Sequence, residues 1–184
     1  MKIIIAGAGE VGSYLAHMLA NEAQDTYLID DNKKRLDKAR QHNDIIALEG
    51  DAKDVDILLE AGVAKCDLLI AATSSEETNL LICILGKKLG AKRTISRISN
   101  FEEIGGDMRT LYKEIGVDHV ISPVEIAAKE IHQLIKHEAF LDHYDFEGGK
   151  LSVFSIQVTS NSPMVGNCVL NSKHFHNNLS FKPI

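Results

Sequence analysis

The opening run Lys2-Ile3-Ile4-Ile5-Ala6-Gly7-Ala8-Gly9-Glu10-Val11-Gly12 constrains this chain more than any other stretch. A short strand enters a Gly-x-Gly-x-x-Gly turn, and an apolar helix leaves it. In such a turn Gly7 permits the tight bend, Gly9 has no Cβ to block a pyrophosphate, and Gly12 lets the helix lie close on the strand. A phosphate then meets the free N–H groups and positive dipole end of the helix. The turn alone is weak evidence, but its context agrees. Ile3, Ile4 and Ile5 suit a buried parallel strand. Val11, Leu15, Met18 and Leu19 recur at helical spacing. A second strand, Thr26-Tyr27-Leu28-Ile29, ends in Asp30, near the ~20-residue distance at which an acid accepts bonds from a ribose hydroxyl. These residues predict an adenine nucleotide site. A carboxylate at position 30 repels a ribose phosphate, which disfavours NADP and leaves NAD(H), ADP and ATP. Lys33, Lys34 and Arg35 fall on the next helix and are expected to face solvent.

Strand-like and helix-like stretches alternate through the first part of the chain. Strands are expected near 2–6, 26–30, 45–49, 68–72, 93–98 and 119–121, and helices near 10–21, 32–42, 55–61, 76–89, 107–115 and 124–136. Alternation with short links predicts an α/β fold: a Rossmann-type, doubly wound parallel sheet. The nucleotide-binding domain is placed at 1–140. Residues 141–184 are read as a linker and a partial α+β C-terminal subdomain. In this second part, 145–150 reads as a polar link, Leu151, Val153, Ile156 and Val158 as a strand, and Ser160-Asn161-Ser162-Pro163 as a turn. Only roughly 35 residues follow the link, too few for a second core, so a truncated piece is expected.

Composition narrows the function. The 184 residues carry a net charge of −6 with no long basic run, which argues against nucleic acid. Cys66, Cys83 and Cys168 are far apart and odd in number, predicting neither a disulfide frame nor a zinc site and suggesting a reducing, cytoplasmic compartment. No signal peptide is legible. The most apolar run, 80–85, is far shorter than the ~20 residues of a membrane helix. His137, His143, His174 and His176 lack a convincing third ligand, so no metal is expected.

Further candidates lie where the strands end, because open parallel sheets bind ligands beyond their carboxyl edges. Asp51 and Ala52 follow the third strand and either meet the adenine or, for Asp51, cap a turn. Thr73 and Ser74 follow the fourth and either contact the ligand or cap the next helix. Asn79, further along that helix, is a weaker candidate. Arg97 ends the fifth strand, where it would pair with a phosphate or form a surface salt bridge. On the helix from Val124, residues Val124, Ala127, Ala128, Ile131, Leu134 and Ile135 share one face, available to a second subunit or to the chain's own sheet. No Tyr-x-x-x-Lys, Gly-x-Ser-x-Gly or Walker-type Gly-Lys-Ser/Thr occurs. Nucleotide binding without catalytic groups favours a sensor over an enzyme.

Collected in this order, the residues resemble the TrkA family of potassium-uptake regulators, the RCK or KTN domains. The resemblance covers 1–143, and the tail is similar to the start of the family's C-terminal subdomain. It rests on the glycine opening, Leu28-Ile29-Asp30, Gly50-Asp51-Ala52, Ala72-Thr73-Ser74 with Glu77 and Asn79, Arg97-Ile98, and Gly116-Val117-Asp118 to Ile121-Ser122-Pro123. It implies a cytoplasmic subunit, peripheral on the inner face of the plasma membrane, that binds NAD(H), with ATP or ADP as the alternative. Such a subunit regulates a Trk- or Ktr-type potassium-transporting membrane protein. By position, the nucleotide contacts fall on Gly7, Ala8, Gly9, Glu10, Val11 and Gly12, then on Asp30, Asp51, Ala52, Thr73, Ser74 and Arg97. It also implies a homo-oligomer, a dimer or ring of dimers, built on the helix from Val124. Glu10 stands where some ATP-regulated relatives carry Arg, which favours NAD(H). Glu125 follows Val124, whereas some relatives place a cation-binding acid directly after Pro123. The rival readings are a dehydrogenase fragment lacking its substrate domain, and an assembly subunit whose nucleotide site is vestigial.

Overall fold

The structure is a computed structural model that describes residues 1–22, 24–41, 44–99, 106–136, 140–146 and 151–156, with turn positions at 160, 161 and 165. Contacts divide the chain into two units, 1–129 and 130–184.

In the first unit, strands and helices alternate without interruption. The strands are β1 (Lys2–Ala6), β2 (Asp25–Asp30), β3 (Ile46–Glu49), β4 (Leu68–Ala71), β5 (Thr94–Arg97) and β6 (His119–Ile121). The helices are α1 (Glu10–Asn21), α2 (Lys33–Arg40), α3 (Val55–Glu60), α4 (Glu76–Leu89), α5 (Gly106–Ile115) and the part of α6 (Pro123–Lys136) up to Lys129. The six strands form one sheet in the order β3-β2-β1-β4-β5-β6, and every neighbouring pair is parallel. This is the expected doubly wound Rossmann arrangement. The chain turns back beside β1, so the loops after β1 and β4 leave the sheet at its topological switch point.

Period-two burial explains the two layers. Ile4, Ala6, Ile29, Leu69 and Ala71 point to one face, where Leu58 of α3 and Ile82 and Cys83 of α4 cover them. Ile3, Ile5, Leu28 and Ile70 point to the other, where Ala16 of α1 and Leu36 and Ala39 of α2 pack. Ile3, Ile4 and Ile5 are at most 1% exposed, and each such side chain contributes about 1.5–3 kcal/mol of burial. Met18 departs from the expected stripe. The packed face of α1 is Val11, Leu15 and Leu19 around Gly12 and Ala16, while Met18 lies beside Tyr14 on the exposed side.

The amino-terminal edge of the sheet is stapled by charge. The Asp67 carboxylate accepts the Lys2 N–H at 2.9 Å and pairs with Lys92 at 2.7 Å. Asp118 accepts the Thr94 N–H at 2.8 Å and the Lys87 ammonium at 2.7 Å. The Thr94 hydroxyl donates to the Gly116 carbonyl at 2.7 Å.

In the second unit, β7 (Phe140–Phe146) pairs antiparallel with β8 (Leu151–Ile156), with a register irregularity between Phe140 and Asp142. The sequence reading anticipated β8 but not β7, and it assigned Asp145 to a polar link. Acidic and apolar side chains share both alternating sets of Phe140-Leu141-Asp142-His143-Tyr144-Asp145-Phe146, which hides the period-two signal; pairing with β8 supplies the order. The expected positions at Val158, Ser162, Pro163, Cys168, His137, His174 and His176 lie outside the described residues, and so does the His143 side chain.

Candidate functional site

The carboxyl edge is where the strands turn into loops, and their backbone bonds fix those loops. The Gly7 N–H donates to the Ile29 carbonyl at 2.7 Å, the Ala72 N–H to Ala6 at 2.8 Å, and the Gly50 N–H to Asp30 at 3.0 Å. The turns after β1, β2, β3 and β4 therefore leave the sheet side by side. Between them lies a cavity of about 400 Å³, within the usual range for small-molecule sites. Of the residues expected from sequence, Gly7, Gly9, Glu10, Val11 and Asp30 line it, and so do Asp51, Ala52, Thr73, Ser74 and Arg97.

Ala8 and Gly12 do not line the cavity; they build its loop. The Ala8 N–H donates to Asp30 Oδ2 at 2.6 Å, and its carbonyl accepts the Ser13 hydroxyl at 3.0 Å. A Cβ on Gly12 would stand 1.8 Å from the Gly7 carbonyl oxygen, so the glycine serves the contact between α1 and the loop. Gly7 has φ +104°, and a Cβ there would meet the Thr73 nitrogen at 2.9 Å. Gly9 is different. It is the N-cap of α1 with extended backbone, and a Cβ there meets nothing within 4 Å. What Gly9 leaves open is cavity, not packing.

Asp30 is 7% exposed and does two jobs in the backbone. Its Oδ2 holds Ala8, and its Oδ1 accepts the Asn32 N–H at 2.8 Å. Asn32 in turn caps α2 through the Lys34 and Arg35 N–H groups. Arg35 corrects the sequence reading in part. More than half its side chain is exposed, yet it lines the cavity, with Nη1 3.8 Å from Asp30 Oδ2. Proximity in the fold, not spacing in the sequence, brings it there.

Asp51 is a turn residue as well as a lining one. Its Oδ1 accepts the Lys53 N–H at 2.9 Å and its Oδ2 faces the Lys53 ammonium at 3.3 Å, while Asp54 caps α3. The cap of α4 falls on Ser75, not on Thr73 or Ser74. Its hydroxyl accepts the Thr78 N–H at 3.1 Å and lies 2.8 Å from Glu77 Oε2. The Glu77 backbone N–H and this hydroxyl hold the Glu77 carboxyl below its ordinary range.

Asn79 is the member sequence reasoning undervalued. It is 1% exposed, and its Oδ1 accepts both the Thr73 N–H at 2.8 Å and the Thr73 hydroxyl at 2.7 Å. Thr73 therefore forms a wall whose N–H and hydroxyl proton are both committed inside the protein.

Arg97 forms no surface salt bridge. Its Nη1 donates to the Thr73 carbonyl at 3.2 Å, and its buried Nε has no hydrogen-bond partner. Lys53 and Arg35 each face a carboxylate; among the described residues Arg97 is in no ion pair. The cavity thus carries carboxylates at Asp30 and Asp51. It also gathers the α1 N-terminus and an uncompensated guanidinium, a combination suited to an anion.

Residues 3–123 match the TrkA-N domain family. The chain belongs to this family. Relatives agree along most of its length. It is 35% identical over 171 residues to a Trk system potassium uptake protein TrkA homolog of Archaeoglobus fulgidus, covering 92% of this chain and 38% of the relative. It is 34% identical over 172 residues to the Trk system potassium uptake protein TrkA of Vibrio alginolyticus, covering 92% and 37%. The chain thus spans little more than a third of the length of these relatives. Among solved structures, the TrkA-N domain of the inner membrane protein ybaL from Escherichia coli superposes with a TM-score of 0.62 at 20% identity, covering 72% of this chain and 95% of that one. The GsuK channel bound to NAD gives 0.59 at 24% identity, covering 74% and 23%. These two likenesses carry the fold. No helix among the described residues is long and apolar enough to cross a membrane.

Proposed function

We propose that this TrkA-N chain is the nucleotide-reading part of a regulator of potassium uptake. The observation that carries the reading is Arg97, a cation without a carboxylate that lines the same cavity as an open glycine turn and the acid Asp30. An adenosine diphosphate unit fits these groups. Its ribose hydroxyls would meet Asp30, its pyrophosphate the Gly9–Val11 backbone and Arg97, and its adenine the Asp51–Ala52 wall. The unpartnered Arg97 Nε and the empty space at Gly9 support that fit.

NAD(H) is the favoured ligand. Glu10, exposed at the first position of α1, would repel the terminal phosphate of ATP, whereas a dinucleotide bears no such group. ADP remains the alternative; the GsuK channel is solved bound to NAD, and GsuK bound to ADP. The same adenosine diphosphate unit serves both.

The role is regulatory, not catalytic: the protein acts in the cytoplasm, on the inner face of the plasma membrane, beside a Trk- or Ktr-type potassium-transporting membrane protein. The names of the relatives support that partner. Homo-oligomers, dimers or rings of dimers, would form through α6, whose Val124, Ile126 and Ile131 are 63%, 53% and 58% exposed. Ligand forms that prefer different arrangements of the paired domains then bias the transporter, with coupling of ~1–3 kcal/mol.

Calorimetric titration with NAD, NADH, NADP, ATP and ADP tests this reading. Binding of NAD or NADH ahead of NADP, weakened by Arg97→Ala, is the expected result. Binding of none of the five would overturn it in favour of an assembly subunit.

A further inference from the structure

We propose that Asn79 is the positioning residue for the phosphate end of the cavity: it holds Arg97 in place and frees its guanidinium to turn toward an anion. This rests on the nucleotide reading above.

The carboxamide of Asn79 uses every hydrogen-bonding position it has. Oδ1 accepts the N–H and hydroxyl of Thr73, and Nδ2 donates to the Arg97 carbonyl at 2.9 Å and the Thr73 carbonyl at 3.2 Å. Two donors on one side and two carbonyls on the other fix which end is oxygen, and no capacity is left for a ligand. These bonds belong neither to the helix cap, which Ser75 makes, nor to the ladder, whose last β4–β5 pair is Ala71 with Ser96. Asn79 ties β4 to β5 beyond the end of their ladder, where the cavity begins.

The Thr73 carbonyl is the shared element. It receives Asn79 Nδ2 and Arg97 Nη1, both at 3.2 Å. When an anion draws Nη1 away, the half-buried carbonyl keeps its bond to Asn79 and is not left without a protein partner. Without Asn79, Arg97 becomes the side chain that satisfies this carbonyl, and its turn toward a phosphate strands it. Asn79 also pins the Arg97 backbone through its carbonyl. It therefore acts through Arg97 and never on the ligand itself.

The test is calorimetric binding of adenosine, ADP and NAD to the full chain. With Asn79→Ala, ADP and NAD should weaken at least about tenfold while adenosine changes less than about twofold. A role confined to general stability would weaken all three alike. In an Arg97→Ala background the same substitution should leave the ADP-to-adenosine ratio unchanged, because the guanidinium it positions is gone. Should Asn79→Ala not fold, Thr73→Val removes one bond to Oδ1 and should give the same selectivity at about threefold. Equal weakening of the three probes by Asn79→Ala in the otherwise wild-type chain, or a selective effect that persists in the Arg97→Ala background, overturns the positioning role. Wild-type protein that binds none of the probes overturns the nucleotide reading instead, and this inference with it.

Discussion

The Asp30 carboxylate accepts the Ala8 N–H at 2.6 Å across 22 residues of chain. The acid at the end of β2 thus holds the glycine loop that follows β1, besides facing the cavity. Asp30→Ala leaves the enclosed Ala8 N–H without a partner and should destabilise the protein by about 2–3 kcal/mol in urea titrations. Asp30→Asn offers an acceptor to only one of the Ala8 and Asn32 N–H groups and sets its NH2 against the other, so it should fall between the parent and Asp30→Ala. A stability unchanged by Asp30→Ala would contradict the structural half of this role.

Two glycines of one motif separate packing from binding. Gly12→Ala drives a methyl to within 1.8 Å of the Gly7 carbonyl and should cost about 3 kcal/mol or more, or prevent folding. Gly9→Ala meets no protein atom and should stay within about 0.5 kcal/mol of the parent. Its methyl occupies ligand space, so NAD or ADP binding should drop while the thermal midpoint of the free protein holds.

Asp118 makes stability depend on acid. Burial pushes its carboxyl up, but the Lys87 ammonium and the Thr94 N–H outweigh this and hold it below its ordinary 3.8. A carboxyl depressed on folding gives its full contribution above the unfolded value and loses it as pH falls through the folded one. Urea midpoints should therefore fall below about pH 4. Asp118→Asn should flatten that acid limb and lower stability at pH 7 by about 1–2 kcal/mol. An equally steep limb in the variant would assign the acid lability elsewhere.

Cys66 and Cys83 are fully buried, and burial pushes their thiols up to about 11 and about 12. Neither presents a thiolate at neutral pH. In a Cys168→Ser background, a disulfide reagent at pH 8 should label the native protein negligibly and both thiols rapidly in urea. Rapid native labelling would mean that the α4 face opens locally.

The sheet was legible because its strands announce themselves: Ile3-Ile4-Ile5 and Leu28-Ile29 are buried on both faces, and helical stretches alternate with them. The glycine turn, Asp30 and Arg97 were legible because a parallel sheet sends its strand ends to one edge. Other features were not. Met18 fits the helical period yet falls outside the packed stripe, since the small Gly12 and Ala16 draw α1 down on a different line. Arg35 reaches the cavity through the turn after β2, which no local pattern encodes. Asn79 looks like an ordinary helix residue until β5 brings the Arg97 carbonyl beside it.

The charged staples at Asp67 and Asp118 lie along one rim of the sheet, and the glycine turn, Arg97 and Asn79 along the other. Most substitutions at one rim are too remote to couple with those at the opposite one, so their effects should add. Such a scaffold lets its choice of small molecule drift by changes at one rim while the opposite rim keeps the chain folded. Asp30 is the exception, since any drift that touches it loosens the loop as well.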